Sequence, residues 1–385
     1  MNGTLSIMRL FRRIPDAINI SGPRENETGE ARMPMNIREI AKRAKVSTAT
    51  VSRTINRIST VDPRLAKRVW KVIERSGYRP NIQARALVSG RSQILGLVVS
   101  DITNPFFPEI IQAFENIAVE HGYDILLVST VHDPGRMDTS VRRMTERRVD
   151  GVAVMTFGME DLLLEDRELR NVPLVFVDVG PKRPGVGNIK IDYLKGIRQA
   201  VQHLAALRHE QIAFISGPLE LKSAKARRHA FEQAMTEIGL KVRKDGIVEG
   251  DHTLEGGSRA AQTLLSLPTR PTAIVCSNDM TALGVMHKCH EEGLSIPRDL
   301  SLVGFDDIKL AQFVLPPLTT VRMSQTELAR LAFNALLTEL ESEDVSAHGT
   351  EYVLETSLVL RDSTALVSTV AKKHGETMRG NSKAH

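Results

Sequence analysis

Seven short apolar runs alternate with helix-forming stretches in this chain, and they constrain its fold more than any other feature. The runs occupy residues 94–100, 124–129, 151–155, 173–178, 211–217, 272–278 and 300–306. Continuous apolar runs of this length are typical of strands buried on both faces, and intervening helices let such strands run parallel. The pattern therefore predicts a parallel, doubly wound α/β body.

Polar residues stand where several of these predicted strands end. They form the stretch DITNPFF at 101–107 and the pairs Asn278-Asp279 and Asp306-Asp307. Because ligands bind at the carboxyl ends of strands in open α/β sheets, this edge is a candidate ligand site. No glycine-rich loop follows the first predicted strand and no GxxxxGK[ST] motif occurs, so the sequence lacks the phosphate cradle of nucleotide-binding folds and calls for no cofactor.

Residues 35–80 have a different pattern, which predicts three short helices. Asn36 followed by Glu39 resembles a capping box, and Ser47 is a suitable N-cap for a second helix with Val51 and Ile55 on its apolar side. A third helix is expected to begin after Asp62 and to end at Gly77, with these apolar residues inward: Leu65, Val69, Val72 and Ile73. The first two helices are joined by a tight turn.

The second of these helices has a face suited to DNA. We call Thr48, Ala49, Ser52 and Arg53 the recognition face; they lie near the helix start, opposite the apolar side. Small side chains let a helix enter the major groove, where Arg53 is expected to reach guanine O6 and N7. Phosphate contacts are assigned to Asn36, Ser47, Thr50, Ser52 and Asn56. The alternative is a surface helix that merely tolerates Ser and Thr.

Charge divides the chain in the same place. Residues 35–91 contain fourteen Lys and Arg against three Asp and Glu, a net charge of +11. Residues 92–365 contain 28 Lys and Arg against 38 Asp and Glu, a net charge of −10. A basic segment alone is often only a solvated surface, but an acidic body repels phosphates. Any polyanion should therefore bind the basic head.

Several properties bear on where the protein acts. Cys276 and Cys289 are the only cysteines among 385 residues, too few to staple the chain, which favours a reducing compartment. No apolar run reaches membrane-spanning length, and the first residues lack the apolar core of a secretion signal. We expect a cytoplasmic protein with no membrane partner. The histidines of HKCH at 287–290 lack further ligands, so no metal is expected.

Residues 77–92, GYRPNIQARALVSGRS, are too short to form a stable helix alone and are predicted to be a hinge. Together with NIREIAKRAKVSTATVSRTIN at 36–56, they resemble the LacI/GalR (lactose-repressor) family of bacterial transcription regulators. In that family the hinge folds on the operator and a leucine, matched by Leu87, wedges into the minor groove and contributes to base contacts. The matched hinge residues are Asn81, Ala84 and Leu87.

The resemblance extends over residues 35–364. Its motifs are NPFF at 104–107, HL at 203–204 with His209, SGPLELKSAKAR at 216–227, SND at 277–279, GFDD at 304–307, PPLTTV at 316–321 and LVLRDST at 358–364. It implies two periplasmic-binding-protein-like subdomains, crossed three times by the chain, which close on a small effector. The effector-binding positions are Phe106, Ser223, Arg227, Asn278 and Asp306. Alternatively, Arg227 and Asp306 only pair with each other.

The body departs from the family pattern at three positions. Arg208 precedes His209 where the family usually has Gly, and Ala230 replaces a common Gly before Phe231; we interpret both as structural. Tyr193 stands where Asn commonly follows Asp192, and it could alter the choice of ligand if it points into the cleft.

These observations predict a ligand-responsive transcriptional regulator, a repressor that binds a palindromic operator in double-stranded DNA as a homodimer. Its effector would be a sugar, a sugar acid or a purine. The predicted domains are a disordered extension at 1–34, a helix-turn-helix head at 35–80, a hinge at 81–92, an effector-binding and dimerisation body at 93–365, and a disordered tail at 366–385.

Two other classes were weighed. A secreted solute-binding protein could use the same body, but it would need a signal peptide and has no use for a basic helix-turn-helix. An α/β enzyme would need an acid and base pair or a nucleophile in the cleft, and the sequence offers no HExxH or GxSxG motif. We therefore expect no catalytic activity.

Overall fold

The computed structural model describes residues 35–55, 60–78, 90–131, 133–156, 172–178, 185–341 and 349–368. Contacts divide the chain into two compact units, one ending at Val88 and the other beginning at Ser89, and each is described by itself. We call them the head and the body. Several predictions fall outside the described residues: the extension 1–34, Asn56, and the hinge positions Asn81, Ala84 and Leu87.

Three helices form the described part of the head: α1 (Ile37–Ala44), α2 (Thr48–Ile55) and α3 (Pro63–Ser76). The expected caps are confirmed. Asn36 Oδ1 accepts the Glu39 N–H at 3.0 Å, and Ser47 Oγ accepts the Thr50 N–H at 3.1 Å. The third helix ends at Gly77, whose φ of 64° is the left-handed conformation that glycine adopts without strain.

A small apolar core holds the head together, made of Ile40, Ala41, Ala44, Val51, Val69 and Ile73. The inner face of α2 differs slightly from the prediction, because Thr54 is buried beside Val51 while Ile55 is half-buried. Thr54 can be buried because its hydroxyl donates to the Thr50 carbonyl at 2.8 Å. Arg68 donates to the carbonyls of Ala44 and Lys45 and so caps the end of α1.

The body contains two six-stranded sheets. Strands of the first are β1 (Ile94–Val99), β2 (Asp124–Ser129), β3 (Gly151–Met155), β4 (Leu174–Val177), β5 (Val186–Asp192) and β11 (Glu351–Glu355). Their order is β11-β5-β4-β3-β1-β2, and every pair is parallel. With helices α4 (Phe106–Glu120), α5 (Pro134–Arg147) and α10 (Gln325–Glu341), this sheet forms the first subdomain.

The second subdomain repeats this plan. Its strands are β6 (Ile212–Ser216), β7 (Ile247–Glu249), β8 (Ala273–Cys276), β9 (Ser301–Asp306), β10 (Thr319–Arg322) and β12 (Ser357–Val359), ordered β12-β10-β9-β8-β6-β7. Its helices are α6 (Tyr193–Ala206), α7 (Lys222–Glu237), α8 (Leu254–Leu265) and α9 (Asp279–Glu291), with short 3-10 turns at Lys244–Gly246 and Lys309–Gln312. Only the β10–β12 pair is antiparallel among the described strands, a detail that the predicted parallel plan did not include.

The chain passes between the subdomains three times, as the resemblance implied. The first crossing runs from β5 into α6, the second from β10 into α10, and the third from β11 into β12. The first and third are bonded to each other, since the Thr356 hydroxyl donates to the Asp192 carbonyl at 2.6 Å and accepts the Gly196 N–H at 2.9 Å. The ordered contacts of the body extend to Val367, whose N–H donates to the Leu207 carbonyl at 3.0 Å.

Two aspartates occupy corresponding places in the two sheets. Asp178 directly follows β4, and Asp306 ends β9; each strand is third from the edge of its sheet. Their φ angles are 81° and 109°, which side chains other than glycine adopt at an energetic cost. Arg208 also has a positive φ of 67°, which supports the interpretation of this departure as structural.

Helices α8 and α9 pack unusually closely through two glycines. A Cβ on Gly284 would overlap the carbonyl oxygen of Leu254, and a Cβ on Gly257 would overlap that of Thr281. Since both obstacles are backbone atoms, they cannot move without shifting a helix. The Gly284→Ala variant should therefore unfold about 1–3 kcal/mol more easily by denaturant titration, despite the better helix propensity of Ala.

Gly246→Ala is the matched control for this prediction. Its Cβ would lie 3.4 Å from the Arg243 Cβ, an ordinary contact, so its stability should stay within roughly 1 kcal/mol of the parent. Equal stabilities of the two variants would contradict the close packing of α8 and α9.

Candidate functional site

The recognition face on α2 is open to solvent. Thr48, Ala49 and Arg53 are exposed and Ser52 is half-buried, whereas Val51 and Thr54 face the core. The Arg53 guanidinium has no hydrogen bond or ion pair with any residue that the structure describes. An extended donor group on a surface of small side chains is chemically suited to base edges in a major groove.

The residues predicted to contact DNA phosphates differ in whether their side chains already make hydrogen bonds within the head. Asn36 Oδ1 and Ser47 Oγ are used as helix caps, and Ser47 Oγ also lies 2.9 Å from the Thr50 hydroxyl. These three side chains therefore stabilise the helix starts, and a phosphate contact would have to use the Asn36 Nδ2 or share the Ser47–Thr50 hydroxyl pair. The Ser52 hydroxyl makes no such capping hydrogen bond with any residue that the structure describes.

Basic side chains surround this face. All ten Lys and Arg of the described head are exposed, against only Glu39, Asp62 and Glu74 as acids. Glu39 already pairs with Arg43 at 3.1 Å. The excess of solvated positive charge makes the head the part of the described chain best suited to a polyanion.

In the body, Arg227 and Asp306 come together as predicted. Arg227 Nη1 lies 3.9 Å from Asp306 Oδ1, and the two side chains are only 6% and 7% exposed. This distance is within the range of an ion pair but too long for a hydrogen bond, so the alternative interpretation, in which the two residues only pair with each other, stays open. Arg227 Nη1 donates instead to the Ser277 carbonyl at 2.6 Å.

The carboxyl group of Asp306 is held in an unfavourable environment. Its burial raises the pKa to about 7, and the nearby Arg227 only partly opposes this. A buried carboxyl with a perturbed pKa, next to a cation at the end of a strand, is typical of a functional site.

Unsatisfied polar atoms gather at the same edges of the two sheets. Among described side chains, Arg227 Nε, Asp306 Oδ1, Ser277 Oγ and Thr156 Oγ1 are buried without a hydrogen-bond partner. Thr156 follows β3 in the first subdomain, and Ser277 follows β8 in the second. Since buried polar atoms are normally bonded, these donors and acceptors indicate a place where a polar ligand binds.

The other predicted effector positions have different surroundings. Asn278 caps α9, with Oδ1 accepting the Thr281 N–H at 2.9 Å and Nδ2 donating to the His252 carbonyl at 3.1 Å. Ser223 is buried one turn before Arg227 on α7. Phe106 begins α4 and is buried edge-on against Phe107, with ring centroids 5.3 Å apart.

Three residues beside Arg227 were not among the predicted effector positions. The Arg227 Cζ lies 4.3 Å from the centroid of the Phe305 ring and 5.1 Å from that of Tyr193. The Tyr193 hydroxyl donates to Asp178 Oδ2 at 2.7 Å. Asp178 ends the apolar run 173–178 as Asp306 ends the run 300–306, so the rule that singles out Asp306 also applies to it. Tyr193 is predicted only as a departure from the family pattern.

Asp306 is also joined to the second crossing. Gln325 Nε2 donates to the Asp306 carbonyl oxygen at 2.9 Å, and the Met323 N–H approaches it at 3.4 Å. The same residue thus presents its side chain to the candidate ligand site and its backbone to a connection between the subdomains.

Comparison with known proteins agrees with this arrangement. Residues 36–81 match the family described as bacterial regulatory proteins, lacI family, and residues 201–364 match the periplasmic binding protein-like domain. The chain is 37% identical over 332 residues to the HTH-type transcriptional repressor PurR of Glaesserella parasuis serovar 5 (strain SH0165), covering 85% of this chain and 97% of that protein. It is 35% identical over 316 residues to catabolite control protein A of Priestia megaterium, covering 82% and 95%.

Solved structures give the same result. The lac repressor dimer bound to operator and the anti-inducer ONPF superposes with a TM-score of 0.77 at 28% identity, covering 86% of this chain and all of that chain. The transcriptional regulator CelR in complex with cellobiose gives 0.64 at 25% identity, covering 86% and 99%. None of the described helices has an apolar stretch that could cross a bilayer. With near-complete coverage of relatives that are themselves repressors, the chain belongs to the lacI family of bacterial regulatory proteins.

Proposed function

We propose that this protein is a ligand-responsive repressor that binds a palindromic operator in the bacterial cytoplasm. The observation that carries the proposal is Arg53, which is exposed on a face of small side chains and has no partner among the described residues, in a head whose described basic residues all face solvent. Base contacts come from Thr48, Ala49, Arg53 and Leu87, and phosphate contacts from Asn36, Ser47, Thr50, Ser52 and Asn56. The protein carries out no catalysis.

The protein acts as a homodimer. One small head contacts too few base pairs for useful specificity, and a two-fold dimer matches a palindromic site. The similarity to a lac repressor dimer bound to operator supports this assembly. Residues 81–92 form the hinge between the head and the effector-binding body at 93–365, with Leu87 entering the minor groove.

The effector is a small polar molecule, a sugar, a sugar acid or a purine, that binds between the subdomains. Arg227 and Asp306 hold it, with Ser223, Asn278 and Phe106 around them. An arginine and an aspartate can bind vicinal hydroxyls or the edge of a purine, and the unsatisfied atoms of both side chains support this role. A thermal-shift screen of these three compound classes against the full chain identifies the effector; no shift with any of them would contradict the assignment.

Arg53→Ala should reduce specific operator binding by about 1–3 kcal/mol and relax the preference at one guanine in each half-site. The measurement is a binding-site selection from random DNA with parent and variant proteins. Arg75→Ala, an exposed arginine on α3, is the control and should leave the selected sequence unchanged. An Arg53→Ala protein that selects the parental sequence with the same stringency would rule out the proposed base contact.

A further inference from the structure

Tyr193 links the two subdomains at the first crossing. It is the first residue of α6, is only 5% exposed, and donates its hydroxyl proton to Asp178 at the end of β4. Burial raises the pKa of the Asp178 carboxyl, and the hydrogen bond from Tyr193 opposes that rise. The bond therefore joins a residue that begins the second subdomain to a carboxylate of the first.

The Tyr193 ring also lies against the guanidinium of Arg227. Phe305 provides the second aromatic contact, and the Tyr193 and Phe305 centroids are 5.8 Å apart. With the Ser277 carbonyl on Nη1, these contacts leave the Arg227 side chain almost completely buried although its Nε has no partner. A ligand can bind Arg227 only if one of the neighbouring groups moves.

Both rings belong to the same apolar core, but their places in the fold differ. Phe305 lies within the interior strand β9 and is 1% exposed, whereas Tyr193 is 5% exposed. Tyr193 stands at a helix start directly after a crossing, where a change in the angle between subdomains is expected to act first.

We propose that Tyr193 is the gate of the effector site, held closed by Asp178, and that an effector must displace its ring to reach Arg227. This inference rests on the proposed role of Arg227 as an effector anchor. Displacement leaves Asp178 Oδ2 without the Tyr193 donor, although Oδ1 still accepts the Ile191 N–H, and it leaves Arg227 with Phe305 as its one remaining aromatic contact among the described residues. The favoured effector therefore carries a hydrogen-bond donor for Asp178 and an acceptor for Arg227 Nε, so that it contacts both subdomains at once.

The gate is tested by chemical modification of the full chain in the absence of effector and operator. The reagent is phenylglyoxal, a dicarbonyl selective for arginine, and peptide mass spectrometry measures the rate at which it modifies Arg227. The parent should react slowly at this position. Tyr193→Phe keeps the ring but loses the bond to Asp178, and it should accelerate the reaction about tenfold, since a hydrogen bond to a carboxylate is removed. Tyr193→Asn, which also removes the ring, should react faster still.

Arg361, which is 16% exposed and paired with Asp307, provides the internal reference, and Tyr352→Phe provides the matched variant. The modification rate of Arg361 should be the same in the parent and in the Tyr193 variants. In the Tyr352→Phe protein, Arg227 should react at the parental rate. If Tyr193→Asn loosens the whole body, the Arg361 rate rises too, and Tyr193→Phe alone decides. A parental rate at Arg227 in Tyr193→Phe overturns the gate, whereas a failed operator selection would count against the proposed function instead.

Discussion

Replacing Asp306 by Asn is expected to stabilise the ligand-free protein by about 2–4 kcal/mol at about pH 8. Burial raises the pKa of this carboxyl to about 7, so the folded protein keeps a proton that the unfolded chain releases. Between the ordinary aspartate pKa of about 4 and the folded value, the parent therefore loses stability as the pH rises, and above that window the loss is constant. The Asn side chain stays neutral over this pH range, so the variant does not lose stability in this way.

The measurement is denaturant unfolding of both proteins from about pH 5 to about pH 8. The difference between their free energies of unfolding should increase with pH and then level off. Asp245→Asn is the control, because Asp245 is exposed and a hydrogen bond from Arg243 lowers the pKa of its carboxyl. That substitution should give no gain at high pH. If the stability difference between Asp306→Asn and the parent does not depend on pH, burial does not raise the pKa of the Asp306 carboxyl.

The same Asp306→Asn protein should bind operator as the parent does but no longer respond to the effector. Effector and operator are expected to alter each other's affinity by about 1–3 kcal/mol, and this coupling needs the ligand anchor in the second subdomain. The experiment is an operator titration with and without the compound found in the thermal-shift screen. Asp245→Asn should respond as the parent does, and an equal response from Asp306→Asn would show that Asp306 does not hold the effector.

The sequence predicted the interior of both sheets better than their edges. All seven apolar runs are strands. Six of them are largely buried and need a continuous apolar segment, whereas β2 lies at the edge of its sheet and has no buried residue. Strand β5 was missed because VGNIKID includes a buried Asn188 and an exposed Lys190, and β11 because EYVLE is largely exposed at the edge of its sheet. Strand β10 was missed because TTVR is not an apolar run, although both of its threonines are buried. Strands β7 and β12 have three residues each, too few for any periodicity.

The candidate site was predictable in its members but not in its contacts. Arg227 and Asp306 were expected together, and they are. Their separation of 3.9 Å and the Tyr193 ring beside Arg227 depend on how α6, α7 and β9 pack within the second subdomain, which local patterns do not encode. Likewise, Asn36 and Ser47 were predicted as caps from local spacing, whereas the capping of α1 by the distant Arg68 was not.

The backbone and the side chain of Asp306 make separate contacts, and this separation has an evolutionary consequence. Its contact with Gln325 at the second crossing is made by the backbone carbonyl, which every amino acid possesses, while the side chain lies at the candidate ligand site. Substitutions at this position can therefore change which molecule is sensed without removing the hydrogen bond that connects the site to the interdomain connection. Recognition can diverge among descendants of such a protein while the response machinery is inherited intact.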